Sequence, residues 1–160
     1  MGQPLSRSFA LPDSAATASL GAALAAALPV NPRGWVILLR GELGSGKSTL
    51  ARALLGALGH GGSVPSPTYT LVEPYEFTEF SVYHVDLYRI ADPEELEFLG
   101  WSELEDGLRL IEWPERIPGL TKQADLLVSL SYDGPGRAAE LSGLSERGTL
   151  MLGEFDHPAN

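Results

Sequence analysis

Residues 41–48 read Gly-Glu-Leu-Gly-Ser-Gly-Lys-Ser and fit the phosphate-loop pattern Gly-x-x-x-x-Gly-Lys-Ser/Thr at every fixed position. The pattern has a mechanical reading. Gly41, Gly44 and Gly46 lack a Cβ, so the chain there can take up φ > 0 and come close to a ligand. Successive backbone N–H groups then curl into a nest for a polyphosphate. The expected nucleotide contacts fall on Glu42, Leu43, Gly44, Ser45, Gly46, Lys47, Ser48 and Thr49. Lys47 would reach the β- and γ-phosphates, and the Ser48 hydroxyl would face Mg2+. The bland alternative is a glycine-rich turn that merely joins a strand to a helix.

Nucleotide hydrolysis also needs an acid to hold the metal and a group to position water. Two apolar stretches end in a carboxylate: Val-Tyr-His-Val-Asp at 82–86 and Leu-Arg-Leu-Ile-Glu at 108–112. Either Asp86 or Glu112 could hold Mg2+, directly or through water; the alternative is that they are surface acids. Pro65 and Pro67 fix φ and stiffen the segment that presents Ser66 and Thr68. Thr68 is a candidate sensor of the γ-phosphate, as in switch loops, or else part of a rigid turn. The catalytic candidates are therefore Asp86, Glu112 and Thr68. His84 lies two residues before Asp86, on the same face of that strand. Arg89 could meet a phosphate, and the Trp113 ring cannot be far from anything Glu112 holds.

These groups need a frame. Residues 35–39, Trp-Val-Ile-Leu-Leu, read as a fully buried strand entering the loop. Leu50, Leu54, Leu55 and Leu58 recur at helical spacing after it, which puts a helix N-terminus under the phosphates. Upstream, residues 8–11 suit a short edge strand. Asp13 or Ser14 can cap a helix carrying Leu20, Leu24 and Leu28. Downstream, strands are expected over 69–72, 80–87 and 108–112. A helix should start at Asp92-Pro93-Glu94-Glu95, with Leu96 and Leu99 facing inward. Residues 126–130 and 138–141 read as a terminal strand pair joined by Asp133-Gly134-Pro135-Gly136. Residues 147–155 suit helix or strand equally. The pattern predicts an α/β fold: a largely parallel central sheet flanked by helices, ending in an antiparallel strand pair. Ligands of such sheets bind at the carboxyl ends of the strands.

Composition narrows the function. A chain of 160 residues is expected to form one domain over 1–160, with 145–160 a candidate variable tail. It has no cysteine, which removes disulfides, thiol catalysis and cysteine-bound metals. A net charge of −10, with eleven Lys and Arg, argues against charge-driven contact with nucleic acid. No run of eighteen apolar residues is present, so no membrane span is expected. Residues 15–28 are apolar enough to suggest a signal peptide, but Asp13 precedes them and no cleavage-like flank follows. The start, Met-Gly-Gln-Pro-Leu-Ser, fits a myristoylation pattern too short to carry weight.

Taken together, the loop at 41–48, Ser-Pro-Thr-Tyr-Thr at 66–70, His-Val-Asp-Leu-Tyr-Arg at 84–89 and Ile-Glu-Trp-Pro-Glu-Arg at 111–116 resemble the TsaE family. These are small bacterial P-loop ATPases of tRNA threonylcarbamoyladenosine biosynthesis. The resemblance runs from about residue 9 to 141. It implies ATP and Mg2+ as cofactors, with the metal held by Ser48 and Glu112, and Asp86 acting on water or on the outer shell of the metal. It implies that ATP hydrolysis drives a TsaB–TsaD complex, which carries the threonylcarbamoyl group to adenosine beside the anticodon, so that tRNA is met only through partners. The expected location is the cytoplasm. The family often has Thr where Ser48 stands; the hydroxyl is kept.

Two rival classes share the loop. A small-molecule kinase needs an acceptor site and a lid bearing arginines, yet residues 92–106 are acidic with no Lys or Arg. A GTPase switch needs an Asn/Thr-Lys-x-Asp guanine reader. Thr121-Lys122-Gln123-Ala124-Asp125 comes near it with one residue too many, which favours adenine.

Overall fold

The computed structural model describes residues 5–65, 67 and 71–155. Seven strands form one sheet: β1 (Ser6–Leu11), β2 (Val36–Arg40), β3 (Val72–Glu76), β4 (Ser81–Asp86), β5 (Leu108–Glu112), β6 (Leu126–Asp133) and β7 (Gly136–Gly143). Their spatial order is β1-β7-β6-β2-β5-β4-β3. The central four, β6-β2-β5-β4, are parallel, and antiparallel pairs close both edges. Helices α1 (Ser14–Ala27), α2 (Lys47–Leu58), α3 (Glu95–Phe98) and α4 (Glu146–Gly153) complete the fold, with short 3-10 turns between.

The expected architecture is present, and its cause is burial. Every residue of β5 is buried, as are the first four of β2, because apolar layers cover both faces of the sheet. On one face Leu20 and Leu24 of α1, with Leu50, Leu54 and Leu55 of α2, pack on Ile37, Leu39, Leu108 and Leu110. On the other, Leu96, Leu104, Ile117 and Leu120 cover Val36, Leu38, Val85 and Ile111. At roughly 25 cal/mol per Å2 of apolar area, burial of this kind is the dominant favourable term in folding.

Two elements differ from expectation, and a third was open. The strand expected over 69–72 begins at Val72 and runs to Glu76, while Tyr69 and Thr70 lie outside the described residues. Pro74 is tolerated within it because β3 is an edge strand. The helix expected from Asp92 shrinks to the four residues of α3. Asp92 does start a turn, its Oδ1 accepting from the Glu94 amide at 2.9 Å, but left-handed Gly100 (φ 69°) ends the run. The undecided tail is a helix: the Ser145 hydroxyl caps α4 by accepting from the Gly148 amide at 3.0 Å. Met151, Leu152 and Phe155 then join the α1–α2 side of the core. Among the described residues, no helix is long and apolar enough to cross a membrane.

Candidate functional site

The parallel register brings three strand ends together. Leu39 pairs with Glu112, and Glu112 pairs with Asp86, so the loop that leaves β2 opens beside both carboxylates. A cleft of about 410 Å3 lies there. Glu42, Leu43, Gly44, Gly46, Lys47, Ser48 and Thr49 line one wall, and Asp86, Tyr88, Glu112 and Trp113 the other.

The loop keeps its shape for two different reasons. Gly44 (φ 79°) and Gly46 (φ 110°) are left-handed, where a side chain would be strained. Gly41 does not use positive φ, contrary to expectation; it is a glycine for lack of room, since a Cβ would lie 2.7 Å from the Leu130 carbonyl oxygen. Helix α2 then starts with no side-chain cap, whereas Asp13 caps α1 and Ser145 caps α4. The orphan amides of α2 thus face the cleft, at the positive end of the helix dipole.

Lys47 is 6 % exposed and lies along the cleft floor. Its Nζ donates to the Gly41 carbonyl and, at 3.5 Å, to that of Glu42, and it sits 4.1 Å from the centroid of the Trp113 ring. Burial lowers its pKa below the ordinary lysine value, against the opposing pull of Glu112 and Asp86. Trp113 holds this position with left-handed backbone (φ 58°), uncommon for a bulky residue and a mark of local strain. Its ring also meets that of Tyr88, centroid to centroid at 4.9 Å.

Asp86 and Glu112 are each 3 % exposed, which rules out the reading of both as surface acids. Asp86 Oδ1 accepts from the Tyr88 amide at 2.8 Å. Glu112 Oε2 lies 2.5 Å from Nε2 of His84, itself 1 % exposed. Ser48 is exposed to the cleft. Ser45 is not: its side chain is buried and turned away, its Oγ without a hydrogen-bond partner among the described residues, so only its backbone is placed to meet a ligand. Arg89 is exposed and outside the cleft lining. Thr68 lies outside the described residues.

Sequence reasoning missed two residues that grip the loop from behind. Tyr132 and Arg137, opposite one another on β6 and β7, stack cation over ring at 4.4 Å. The Tyr132 hydroxyl donates to the Leu43 carbonyl, and Arg137 Nε to that of Gly44 at 3.1 Å. No local signal marks them, since the contacts span about ninety residues.

The near-match to a guanine reader resolves as structure. Asp125 lies at the opposite, amino end of the sheet. Its Oδ1 accepts from Ser145 Oγ at 2.7 Å and Arg147 Nε at 2.8 Å. Its Oδ2 accepts from the Val36 amide at 2.9 Å and the Arg147 guanidinium at 3.0 Å. That carboxylate is fully engaged and far from the cleft.

Comparison with known proteins agrees. The sequence profile described as threonylcarbamoyl adenosine biosynthesis protein TsaE matches residues 11–139. The tRNA threonylcarbamoyladenosine biosynthesis protein TsaE of Haemophilus influenzae is 44% identical over 124 residues, 76% of this chain and 78% of that one. Its namesake in Synechocystis is 42% identical over 124 residues, 74% of this chain and 76% of that one. The crystal structure of Bacillus subtilis YdiB superposes with a TM-score of 0.73 at 21% identity, covering 97% of both chains, a likeness of fold. With residues 11–139 of the chain matched by the family's profile and relatives above 40% identity, the chain belongs to the TsaE family.

Proposed function

We propose that the protein is a Mg2+-dependent ATPase that drives turnover of a TsaB–TsaD complex in the threonylcarbamoylation of adenosine next to the tRNA anticodon. The observation that carries this reading is the convergence of Lys47, Ser48, Asp86 and Glu112 on one cleft at the carboxyl ends of β2, β4 and β5. The family's role in tRNA threonylcarbamoyladenosine biosynthesis supplies the biological setting.

The chemistry of the donors fits the cofactors. Mg2+ takes oxygen ligands, commonly one or two carboxylates plus phosphate oxygens. The cleft offers the Ser48 hydroxyl and the Glu112 carboxylate for direct contact, with Asp86 beside them to orient water. Bound there, the metal would neutralise charge developing on the phosphates. The amides of residues 42–49 would cradle those phosphates, and Lys47 would exchange its backbone carbonyls for phosphate oxygens. A second cleft shares Gly44, Gly46 and Thr49 with the first and continues past Pro12, Thr17 and Arg137. The base would lie in it, beyond the loop. With Asp125 consumed in structure, no guanine reader stands near among the described residues, which favours ATP.

Net charge of −10 disfavours tRNA as a direct ligand. The ATP and ADP states must then bind a protein partner differently, since equal affinity shifts nothing. Thr68 is the proposed element that senses the γ-phosphate. The test is steady-state ATPase activity with and without purified TsaB–TsaD, alongside multiple-turnover tRNA modification. Slow hydrolysis alone, acceleration by the complex, and loss of repeated turnover with Lys47→Ala are expected. Hydrolysis unchanged by the complex, with Lys47→Ala as good as wild type in modification, overturns the assignment.

A further inference from the structure

We propose that His84 is a positioning residue: by holding Oε2 of Glu112 it aims the other carboxylate oxygen into the cleft. This rests on Glu112 being a metal ligand, as proposed above.

The placement comes from the register. Asp86 pairs with Glu112 and His84 with Leu110, so His84 is the diagonal neighbour of Glu112 on one face of the sheet. Such neighbours sit about 7–8 Å apart at Cα, within reach of a long side chain. The imidazole spans that gap, bringing Nε2 to 2.5 Å from Oε2. An ionised carboxylate only accepts hydrogen bonds, so the ring nitrogen facing it carries the proton and donates. Nδ1 is then the bare acceptor. It is buried and has no partner among the described residues, and an orphaned acceptor is better tolerated than an orphaned donor. No described residue hydrogen-bonds Oε1 of Glu112, which leaves that oxygen for the cleft.

Packing alone does not account for this pair. His84 is flanked on its own face by Val82, and its cross-strand partner is Leu110, both fully buried and apolar. An apolar side chain would suit the packing around position 84, yet it would leave Oε2 of the buried Glu112 without its donor. What the histidine adds is direction. Glutamate has three rotatable side-chain bonds, and a single anchored oxygen removes most of the orientations open to Glu112. Hydrogen bonds to a ligating carboxylate are a recurrent way of orienting metal ligands.

The experiment measures ADP affinity by calorimetry in excess Mg2+ and in EDTA; the ratio of the two constants reports the metal's share of binding without any turnover. His84→Leu removes the donor, and His84→Gln keeps an N–H near the place of Nε2. We expect His84→Leu to cut the Mg2+-dependent gain about 10- to 100-fold, with affinity in EDTA unchanged and a lower melting temperature, since Oε2 loses its donor. His84→Gln should restore most of the gain. Should the leucine variant not fold, His84→Asn takes its place, since its amide stops short of Oε2. Glu112→Ala is the control. If Glu112→Ala loses the gain while His84→Leu or His84→Asn keeps it, or if His84→Gln fails as badly as they do, positioning by His84 is wrong and the metal role of Glu112 stands. If Glu112→Ala itself keeps the gain, the metal role of Glu112 falls, and the inference falls with it.

Discussion

The sheet carries buried carboxylates at both ends, and they are dressed differently. At the amino end, Asp125 accepts four hydrogen bonds from side chains and backbone of its own chain. Burial by itself would raise its pKa, but the bonds from Arg147, Ser145 and the Val36 amide hold it below the ordinary aspartate value. At the carboxyl end, Glu112 is equally buried yet among the described residues is held by one oxygen only, with Lys47 and an open cleft in front of it. A buried acid whose lone pairs are all taken up by the fold serves the fold. One whose lone pairs face a lysine across a cleft is held ready for something else. Burial alone does not separate the two cases; the disposal of the second oxygen does.

The contrast breaks most visibly at the carboxyl end. Glu112→Ala should reduce ATP hydrolysis on the order of 10²–10³-fold, with a smaller loss of ATP binding. Asp86→Ala should move hydrolysis more than binding in the same way. Both acids act through metal and water, while the loop amides carry most of the phosphate contacts. Single-turnover rates beside equilibrium affinities check this. Binding lost as fully as hydrolysis would place the acids among the main nucleotide contacts instead.

Lys47→Ala should come next, weakening nucleotide binding about 100-fold as a charged partner of the phosphates is removed. The fold should survive, since among the described residues Lys47 hydrogen-bonds only to Gly41 and Glu42 of its own loop. Equilibrium dialysis and a thermal melt test both halves. A variant that melts far below wild type would move Lys47 into the class of Asp125.

At the amino end the signs reverse. Asp125→Asn should cost about 2 kcal/mol of stability, since the charge-assisted bonds from Arg147 weaken and one acceptor becomes a donor. Nucleotide affinity of the folded variant should not change. Because the folded-state pKa is depressed, the carboxylate's contribution is full above the unfolded aspartate value of about 3.9 and is lost as pH falls through the folded value. Wild type should therefore lose its advantage over Asp125→Asn below about pH 4. Equal acid unfolding curves for the two proteins would contradict the assignment.

The two ends were unequally legible in the sequence. The loop, its strand and its helix form one continuous stretch, and the acids close apolar runs that only a doubly covered strand would carry, so residue type and position suffice there. What Asp125 does in place of reading guanine needed Arg147, which arrives on a helix that glycine and threonine made hard to read. Its cap and its docking on Asp125 are made by Ser145 and Arg147 together. The His84–Glu112 bond depends on the β4–β5 register, and the grip of Tyr132 and Arg137 on the loop depends on β6 lying next to β2. Neither arrangement is written in local spacing. The extent of α3 was overestimated because Pro93 and its acids mark where a helix starts, while Gly100 decides how soon it stops.

The smallest expected effect is spectroscopic, and it reads the carboxyl end alone. All three tryptophans lie against a cation: Trp35 against Arg147 at 4.7 Å, Trp101 against Arg109 at 5.3 Å and Trp113 against Lys47 at 4.1 Å. Of these only Trp113 lines the cleft. A phosphate bound in the loop draws the Lys47 ammonium toward itself and away from the ring, which changes the field at the indole. Trp35 and Trp101 keep their arginines, so the change should be a modest fraction of total emission. Titration with ADP and Mg2+ should give a saturable change that disappears in Trp113→Phe and in Lys47→Ala. The same titration of Asp125→Asn should match wild type, since Trp35 and its Arg147 sit at the end that nucleotide does not reach. A signal that survives Trp113→Phe would mean that binding is felt at the amino end as well, and the separation of the two ends would fail.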